Sequence, residues 1–188
     1  MKTIITSLLF CLASLTSFSQ SFKLTPAGFV SAADTTKTFI VIDAAGATQA
    51  QLYKKAFLYL SSLYVSPKDV LSTVENESIT VNAVAERAIK MKVLYLNPSW
   101  DVNYTITFQF KDGRMRVFQP SINGMNTRTG DVYRTASVIG GNGRNHKEVY
   151  NSKGELKQKD GKENLEQFIN AYIQTAAAGI VSAKEDNW

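Results

Sequence analysis

Cysteine and histidine are almost missing from this sequence, which has one of each, Cys11 and His146, among 188 residues. A zinc site built from Cys and His needs about four such ligands, so this class of metal site is excluded. Any catalytic triad that depends on histidine would have to use His146. That residue lies in the glycine-rich, basic segment 143–147, which predicts a solvated loop rather than an ordered strand end.

The N-terminal segment 1–19 is typical of a secretory signal peptide. Lys2 supplies a positive charge, residues 4–15 are mostly apolar, and Ser17 and Ser19 are small residues spaced as signal peptidase requires. We predict cleavage after Ser19. The apolar run is roughly half of the ~20 residues that a membrane-spanning helix needs, so a membrane anchor is disfavoured.

Cleavage at this site would leave a mature chain that begins at Gln20 and contains no cysteine. Such a chain forms no disulfide, and lipid attachment at Cys11 is disfavoured because the bulky Phe10 precedes it. Export without cysteine fits a bacterial periplasm or outer surface better than an animal secretory route. We therefore expect an exported, periplasmic or secreted bacterial protein, with no transmembrane segment in its mature chain.

The first half of the mature chain predicts a leader, a strand and a long helix. Residues 20–37 are mixed in character and predict a leader segment. Residues 38–42 are β-branched and aromatic, as is typical of a strand. Thr48 can cap the helix that follows, whose apolar residues recur at helical spacing until Ser66-Pro67 ends it.

Period-two alternation then predicts an antiparallel meander of about four strands. A short strand covers 70–74, and alternation follows at 79–85 and 89–95. The even-numbered residues of 104–110 share an apolar face, which we expect to be buried, while the odd-numbered face is polar. Asp112-Gly113 is the strongest hairpin signal in the chain.

The remainder of the chain has weaker periodicity. Residues 123–160 are rich in glycine and predict loops, with candidate strands at 131–139 and 147–150. A closing helix covers 162–183. We predict a single α+β domain over 38–183, in which strand, helix, four-stranded meander and C-terminal helix form a curved antiparallel sheet with its helices on one face.

Five basic residues are the candidate binding residues of a chain whose net charge is +5. Alternation places them on the polar face of the strands, where pairing would join them in one basic band. Such a band binds nucleic acids or anionic glycans in some proteins, and in others only keeps a sheet soluble and discourages edge pairing. Export argues against a nucleic-acid partner. The residues are Lys90, Lys92, Lys111, Arg114 and Arg116.

The sequence predicts no catalytic residue, metal ligand or cofactor site. Carboxylates such as Asp69 and Asp101 lie at the ends of predicted elements, where a capping or turn role is sufficient. The acidic turn 75–77 has too few oxygen ligands for calcium. Carboxylate pairs that hydrolyse glycosides come from distant segments and cannot be assigned from spacing, so an enzyme is disfavoured without being excluded.

Three segments of the chain resemble one protein family. They are the helix from Gln51 to Leu60, the segment from Asp69 to Ile79, and Tyr104–Ile106 running into the hairpin 111–116 (Lys-Asp-Gly-Arg-Met-Arg). Together they are similar to exported bacterial domains of unknown function described as having a TATA-binding-protein-like (TBP-like) fold. The resemblance covers roughly 38–122. It implies a curved antiparallel sheet backed by helices, and it implies no catalytic residue.

The leading functional hypothesis is a non-enzymatic, secreted or periplasmic binding module. Its polar sheet face, or the loops of 121–150, would meet a protein or glycan partner in the cell envelope. Two alternatives stay open: an envelope hydrolase with a non-contiguous carboxylate pair, and a structural or assembly component of the envelope.

Overall fold

The computed structural model describes residues 20–183, so the predicted signal peptide with Cys11 lies outside the described residues. None of the helices in this range has the length and apolar character needed to cross a lipid bilayer. In chain order the elements are β1 (Phe22–Thr25), β2 (Gly28–Ser31), β3 (Phe39–Asp43), α1 (Gln49–Ser62), α2 (Pro67–Val70), β4 (Leu71–Val74), β5 (Ser78–Lys90), β6 (Ser99–Lys111), β7 (Arg114–Phe118), β8 (Ser121–Thr129), β9 (Val132–Ile139), β10 (His146–Tyr150) and α3 (Lys159–Ser182).

An eight-stranded open sheet is the main structure, and β6 is its central strand. β5 pairs with one edge of β6, and β4 pairs with β5. The other edge of β6 is shared, because β7 pairs with residues 108–111 and β8 with residues 101–105. β3 extends the sheet beside β7, whereas β9 and β10 extend it beside β8. All of these pairs are antiparallel except β9–β10, which is parallel.

The helices cover one face of this sheet, which confirms the predicted α+β class. The even-numbered residues of β6 point toward the helices and are buried, so the predicted core face is correct. The odd-numbered residues point away from them. The core residues of these three elements are Trp100, Val102, Tyr104, Ile106, Phe108 and Phe110 on β6, Leu52, Ala56 and Leu60 on α1, and Leu165, Ile169, Ile173, Ala176, Ala177 and Ile180 on α3.

Thr48 caps α1, as the sequence predicts. Its hydroxyl oxygen accepts the N–H of Gln51 at 3.3 Å, and the Gln51 side chain accepts the N–H of Thr48 at 2.9 Å. This reciprocal pair satisfies two of the N–H groups that a helix start leaves without partners. The helix is capped at its other end by Leu63, and Pro67 begins the single turn of α2 that leads into β4.

Residues 20–37, predicted as a leader, contain a buried hairpin. β1 and β2 pair with each other and insert Phe22, Leu24 and Phe29 into the core, each with 2% or less of its surface exposed. The side chain of Asn170 accepts the N–H of Phe22 and donates to its carbonyl, and Glu166 accepts the N–H of Leu24. These partners on α3 lie 142 to 148 residues away, so the local sequence does not show that the hairpin is buried.

Residues 123–160, predicted to be mostly loops, contribute three strands that widen the sheet. β9 and β10 match the two candidate strands, but β8 has no counterpart in the prediction. One reason is Thr127, a polar residue on the buried face of β8 whose hydroxyl donates to the carbonyl of Ser99 at 2.6 Å. The apolar alternation that marks a strand is therefore interrupted. α3 begins at Lys159 rather than at 162.

The predicted strands 79–85 and 89–95 are parts of one longer strand that ends earlier than expected. β5 continues from Ser78 to Lys90 through an irregularity between Ala85 and Ile89. Residues 93–96 then form a turn, which is closed by backbone hydrogen bonds between Val93 and Leu96 in both directions.

Candidate functional site

The sheet face opposite the helices is a polar surface. Because side chains alternate across a strand, the residues between the buried positions of β6 project from this face, and the neighbouring strands continue it. We call this surface the open face. Its residues on β6 are exposed or half-buried, and they are Asn103, Thr105, Thr107, Gln109 and Lys111.

A chain of hydrogen bonds orders the middle of the open face. The hydroxyl of Thr105 donates to Asn82 on β5 at 2.5 Å and accepts the side-chain amide of Asn123 on β8 at 2.8 Å. Ser121 in turn donates to the carbonyl oxygen of Asn123 at 3.0 Å. Small amides and hydroxyls on three neighbouring strands are therefore held at fixed positions.

Three of the five predicted basic residues meet at one end of the open face. The turn at Asp112-Gly113 reverses the chain, so that Lys111 lies directly opposite Arg114 and Gln109 lies opposite Arg116. Gly113 has φ +71°, a conformation that favours glycine. We call Lys111, Arg114 and Arg116 the cationic cluster. It surrounds a cavity of about 80 Å³ whose lining residues are Val41, Gln109, Lys111, Arg114 and Arg116.

Arg116 is held against two aromatic rings. Its guanidinium carbon lies 4.5 Å from the ring centre of Phe39 and 5.7 Å from that of Phe118. β3 and β7 bring the rings together, since Phe39 and Phe118 are cross-strand partners. The attraction between a cation and an aromatic ring restricts the guanidinium to this position. Sequence reasoning missed both rings, because β3 and β7 are separated by the whole of α1 through β6.

The cationic cluster has no carboxylate partner among residues 20–183. Asp43 is the cross-strand partner of Arg114, yet no carboxylate oxygen in this range lies within 4.0 Å of any of the three cationic groups. The carboxylate of Asp112 accepts the N–H of Gln49 at 2.7 Å instead. Lys111 and Arg114 are like charges directly opposite each other, an arrangement that destabilises a strand pair.

The structure places Lys90 and Lys92 away from the cationic cluster, so the single basic band expected from the sequence is not formed. Lys90 pairs with Ser99 at the first residue of β6, whereas Lys111 ends that strand. At about 3.3 Å per residue the two ends are on the order of 40 Å apart. Lys92 lies beyond β5, and its N–H donates to Asp160 on α3 at 2.8 Å.

His146 is an ordered residue, which corrects the prediction of a solvated loop histidine. It is half-buried at the start of β10. Its Nδ1 lies 2.9 Å from the hydroxyl of Thr135, and its Nε2 lies 2.9 Å from that of Ser137. Gly141 lies directly against the ring, because a Cβ at that position would overlap Nε2 of His146.

The arrangement at His146 does not prepare a nucleophile. The hydroxyl of Ser137 donates to the carbonyl of Gly140, so its hydrogen bond with His146 must use the Nε2–H as donor. Nδ1 then accepts from Thr135, and one neutral tautomer satisfies the whole set. A serine nucleophile needs a hydrogen bond in the opposite direction, in which the serine hydroxyl donates to the imidazole and the imidazole then accepts its proton. The hydrogen bonds of His146 instead hold the short loop between the parallel strands β9 and β10.

Three tyrosines connect α3 and the segment that follows α1 to the sheet. The hydroxyl of Tyr64 lies 2.8 Å from that of Tyr172 and 3.4 Å from that of Tyr104. Burial, and then the hydrogen bond with Tyr64, raise the pKa of Tyr104 and of Tyr172 well above the usual range. Both phenols are therefore neutral at physiological pH, and they stabilise the core.

Among residues 20–183, the two carboxyl groups whose pKa clearly departs from its ordinary value both have a lowered pKa. Hydrogen bonds from Thr36, and then Lys37, lower the pKa of Asp34 to about 2. Lys157, and then Asn151, lower the pKa of Glu155. A general acid needs a raised pKa, so neither carboxyl group is suited to that role. Within residues 20–183, no three His, Cys, Asp or Glu side chains are grouped closely enough to hold a metal ion.

The fold and the open face define a class of protein, an α+β domain with an open sheet of TBP-like type. Residues 39–123 match the family described as "Domain of unknown function (DUF4468) with TBP-like fold", so this segment of the chain is similar to that family. The match confirms the resemblance predicted over 38–122. It includes β3, β7 and the whole cationic cluster, whereas His146 lies outside it.

A solved structure shares this fold. The crystal structure of a TBP-like protein from Parabacteroides distasonis has a TM-score of 0.53 at 12% identity, covering 78% of this chain and 92% of that one. A DUF4468 family protein from Bacteroides ovatus has a TM-score of 0.46 at 12% identity, over 80% and 88% of the two chains. No curated protein matches the chain.

Proposed function

We propose that this protein is an exported, non-enzymatic binding module that recognises an anionic ligand on the open face of its sheet. One observation carries the proposal. Lys111, Arg114 and Arg116 surround a single cavity on a face without helices, and no carboxylate among residues 20–183 neutralises them.

The unfavourable charge arrangement supports a binding role. Lys111 and Arg114 repel each other across the hairpin, so the free protein is destabilised where the cluster lies. An anion in the cavity would offset this repulsion, and a ligand that binds only the folded state raises its stability. In the middle of the open face, side-chain hydrogen bonds connect Asn82, Thr105 and Asn123 on three neighbouring strands.

Export is the second part of the proposal. It is supported by the signal-peptide pattern of residues 1–19, which have a positive charge, an apolar run and small residues before the expected cleavage site. We expect the mature chain to begin at Gln20. The test is cell fractionation of the full chain, with mass spectrometry of the N-terminus. A protein that keeps residues 1–19 and stays with the cytoplasmic fraction would contradict export, and it would leave the anion site to be judged by binding alone.

The binding test uses anionic polymers of different chemistry and two matched variants. Polygalacturonate, dextran sulfate and polyglutamate are the anionic probes, neutral dextran is the control, and calorimetry measures affinity at low and high salt. Replacing Lys111, Arg114 and Arg116 by glutamine should weaken binding at least about tenfold, because three charge contacts are lost. Added salt should weaken wild-type binding as well.

The control variant removes the same charge elsewhere. Lys54, Lys90 and Lys92 are exposed and lie away from the cationic cluster, so their replacement by glutamine should change affinity by no more than about twofold. Equal losses in both variants would show general attraction by net charge and would contradict a site. Cleavage of the bound polymer during incubation would contradict a non-enzymatic role.

A further inference from the structure

We infer that the anion is a carboxylate or sulfate group carried by a glycan, and that Arg116 is the residue that anchors it. This inference rests on the proposed function, since it names the ligand class and the main contact of the same site. It distinguishes Arg116 from the two other cations of the cluster, and it distinguishes a glycan from an acidic peptide.

Arg116 differs from its neighbours in how it is held. Lys111 and Arg114 are exposed, whereas Arg116 is half-buried and lies against Phe39 and Phe118. Contact with the rings holds the guanidinium in place beside the cavity, where its N–H groups can donate to a ligand. A planar guanidinium presents these donors in a fork that matches the oxygens of a carboxylate or sulfate. Because the side chain is already ordered, it loses little freedom when an anion binds.

The cavity is a small cleft that is open to solvent. Its volume of about 80 Å³ exceeds the ~10–15 Å³ that one water molecule requires, so an oxyanion group can enter it. We place a charged substituent of the ligand beside Arg116, with the rest of the ligand along the open face.

The adjoining surface is suited to sugar hydroxyl groups. Thr105 and Thr107 precede Gln109 on this side of β6, and Asn82 and Asn123 flank Thr105 on the neighbouring strands. No large apolar side chain interrupts this side of β6 between Asn103 and Lys111. Protein–protein interfaces have an apolar, aromatic-rich core, which this row of amides and hydroxyls does not provide. The chemistry therefore favours a glycan over an acidic peptide.

The test separates the charge of Arg116 from its shape. Arg116→Lys keeps the charge but loses the planar fork and much of the ring contact, so it should weaken binding to polygalacturonate or dextran sulfate at least about fivefold. Arg87→Lys is the matched control, because it makes the same change at an exposed residue that lies beside Asp101, near the other end of β6. This variant should bind within about twofold of wild type. Replacing Phe39 and Phe118 by leucine should reproduce the Arg116→Lys loss while Arg116 remains.

The choice between glycans is made by comparing the two anionic probes, and either preference supports the inference. Wild-type affinity for Arg116→Lys would overturn the anchoring role, and polyglutamate binding as tightly as the glycans would overturn the ligand class. Both results leave the proposed function standing if the triple glutamine variant still loses binding. If the wild-type protein binds none of the anionic probes, the proposed function fails and this inference fails with it. Thermal unfolding checks that each variant is folded. If the double leucine variant does not fold, the affinity of Arg116→Lys alone tests the anchoring role.

Discussion

The assignment of the two faces of β6 is tested most directly by Phe108→Ala. Phe108 is fully buried, and its cross-strand partners Ile79 and Val117 are fully buried as well. Removing a phenylalanine ring from such a site costs about 3–5 kcal/mol, from lost burial and from the cavity that remains. At 2–4 °C per kcal/mol for a domain of this size, the midpoint of thermal unfolding should fall by roughly 6–20 °C.

The neighbouring residue provides the control. Thr107 lies on the open face, half-buried, with its hydroxyl 2.9 Å from that of Thr80. Thr107→Ala should cost about 1 kcal/mol, the usual net value of one hydrogen bond. Urea unfolding of the chain from Gln20 onward, followed by circular dichroism, measures both variants. A loss below about 1 kcal/mol for Phe108→Ala, or an equal loss for both variants, would refute the assignment of faces. If the alanine variant does not fold, Phe108→Leu should still cost more than Thr107→Ala.

Other perturbations test separate parts of the structure. Gly141→Ala should destabilise the protein by about 1–3 kcal/mol because its Cβ would overlap the His146 ring. The loss of stability should be smaller when His146 is also replaced by alanine, and a double-mutant cycle that shows no coupling would contradict the contact. Asp43→Asn should raise the affinity for an anionic glycan by up to about fivefold, since it removes the carboxylate nearest in register to the cationic cluster; weaker binding in calorimetry would argue against the site. Burial raises the pKa of Tyr104 and Tyr172 above their ordinary value of 10.0, so the folded state holds protons that the unfolded chain releases. Stability should therefore be complete below about pH 10 and fall as the pH rises above it, and urea titrations should show a flatter alkaline profile when both residues are phenylalanine.

Features that depend on short segments could be predicted from the sequence. The alternation along β6 places Phe108 in the core, Asp112-Gly113 forces a hairpin, and Thr48 caps α1, because each of these effects acts between residues a few positions apart. The position of Lys111 beside Arg114 follows from the same hairpin. For these reasons the larger part of the cationic cluster was predictable.

Features that depend on distant pairing could not be predicted. The place of Lys90 depends on the register of two long strands across an irregularity, and Lys92 lies beyond the end of β5. The contact of Arg116 with Phe39 requires β3 to lie beside β7, a pairing that no local pattern encodes. The buried face of β8 includes Thr127, which a hydrogen bond rather than an apolar side chain makes compatible with the core.

The hairpin β1–β2 has a consequence for the order in which the molecule assembles. Its backbone is bonded to Asn170 and Glu166 on α3, so the first strands of the described chain are completed by its last helix. Contacts between such distant residues form slowly, because a long loop must close before they contribute any stability. When the chain is synthesised from its N-terminus, Phe22, Leu24 and Phe29 therefore stay exposed to solvent until nearly all of the domain has been made. Folding is complete only when the two ends of the domain have met.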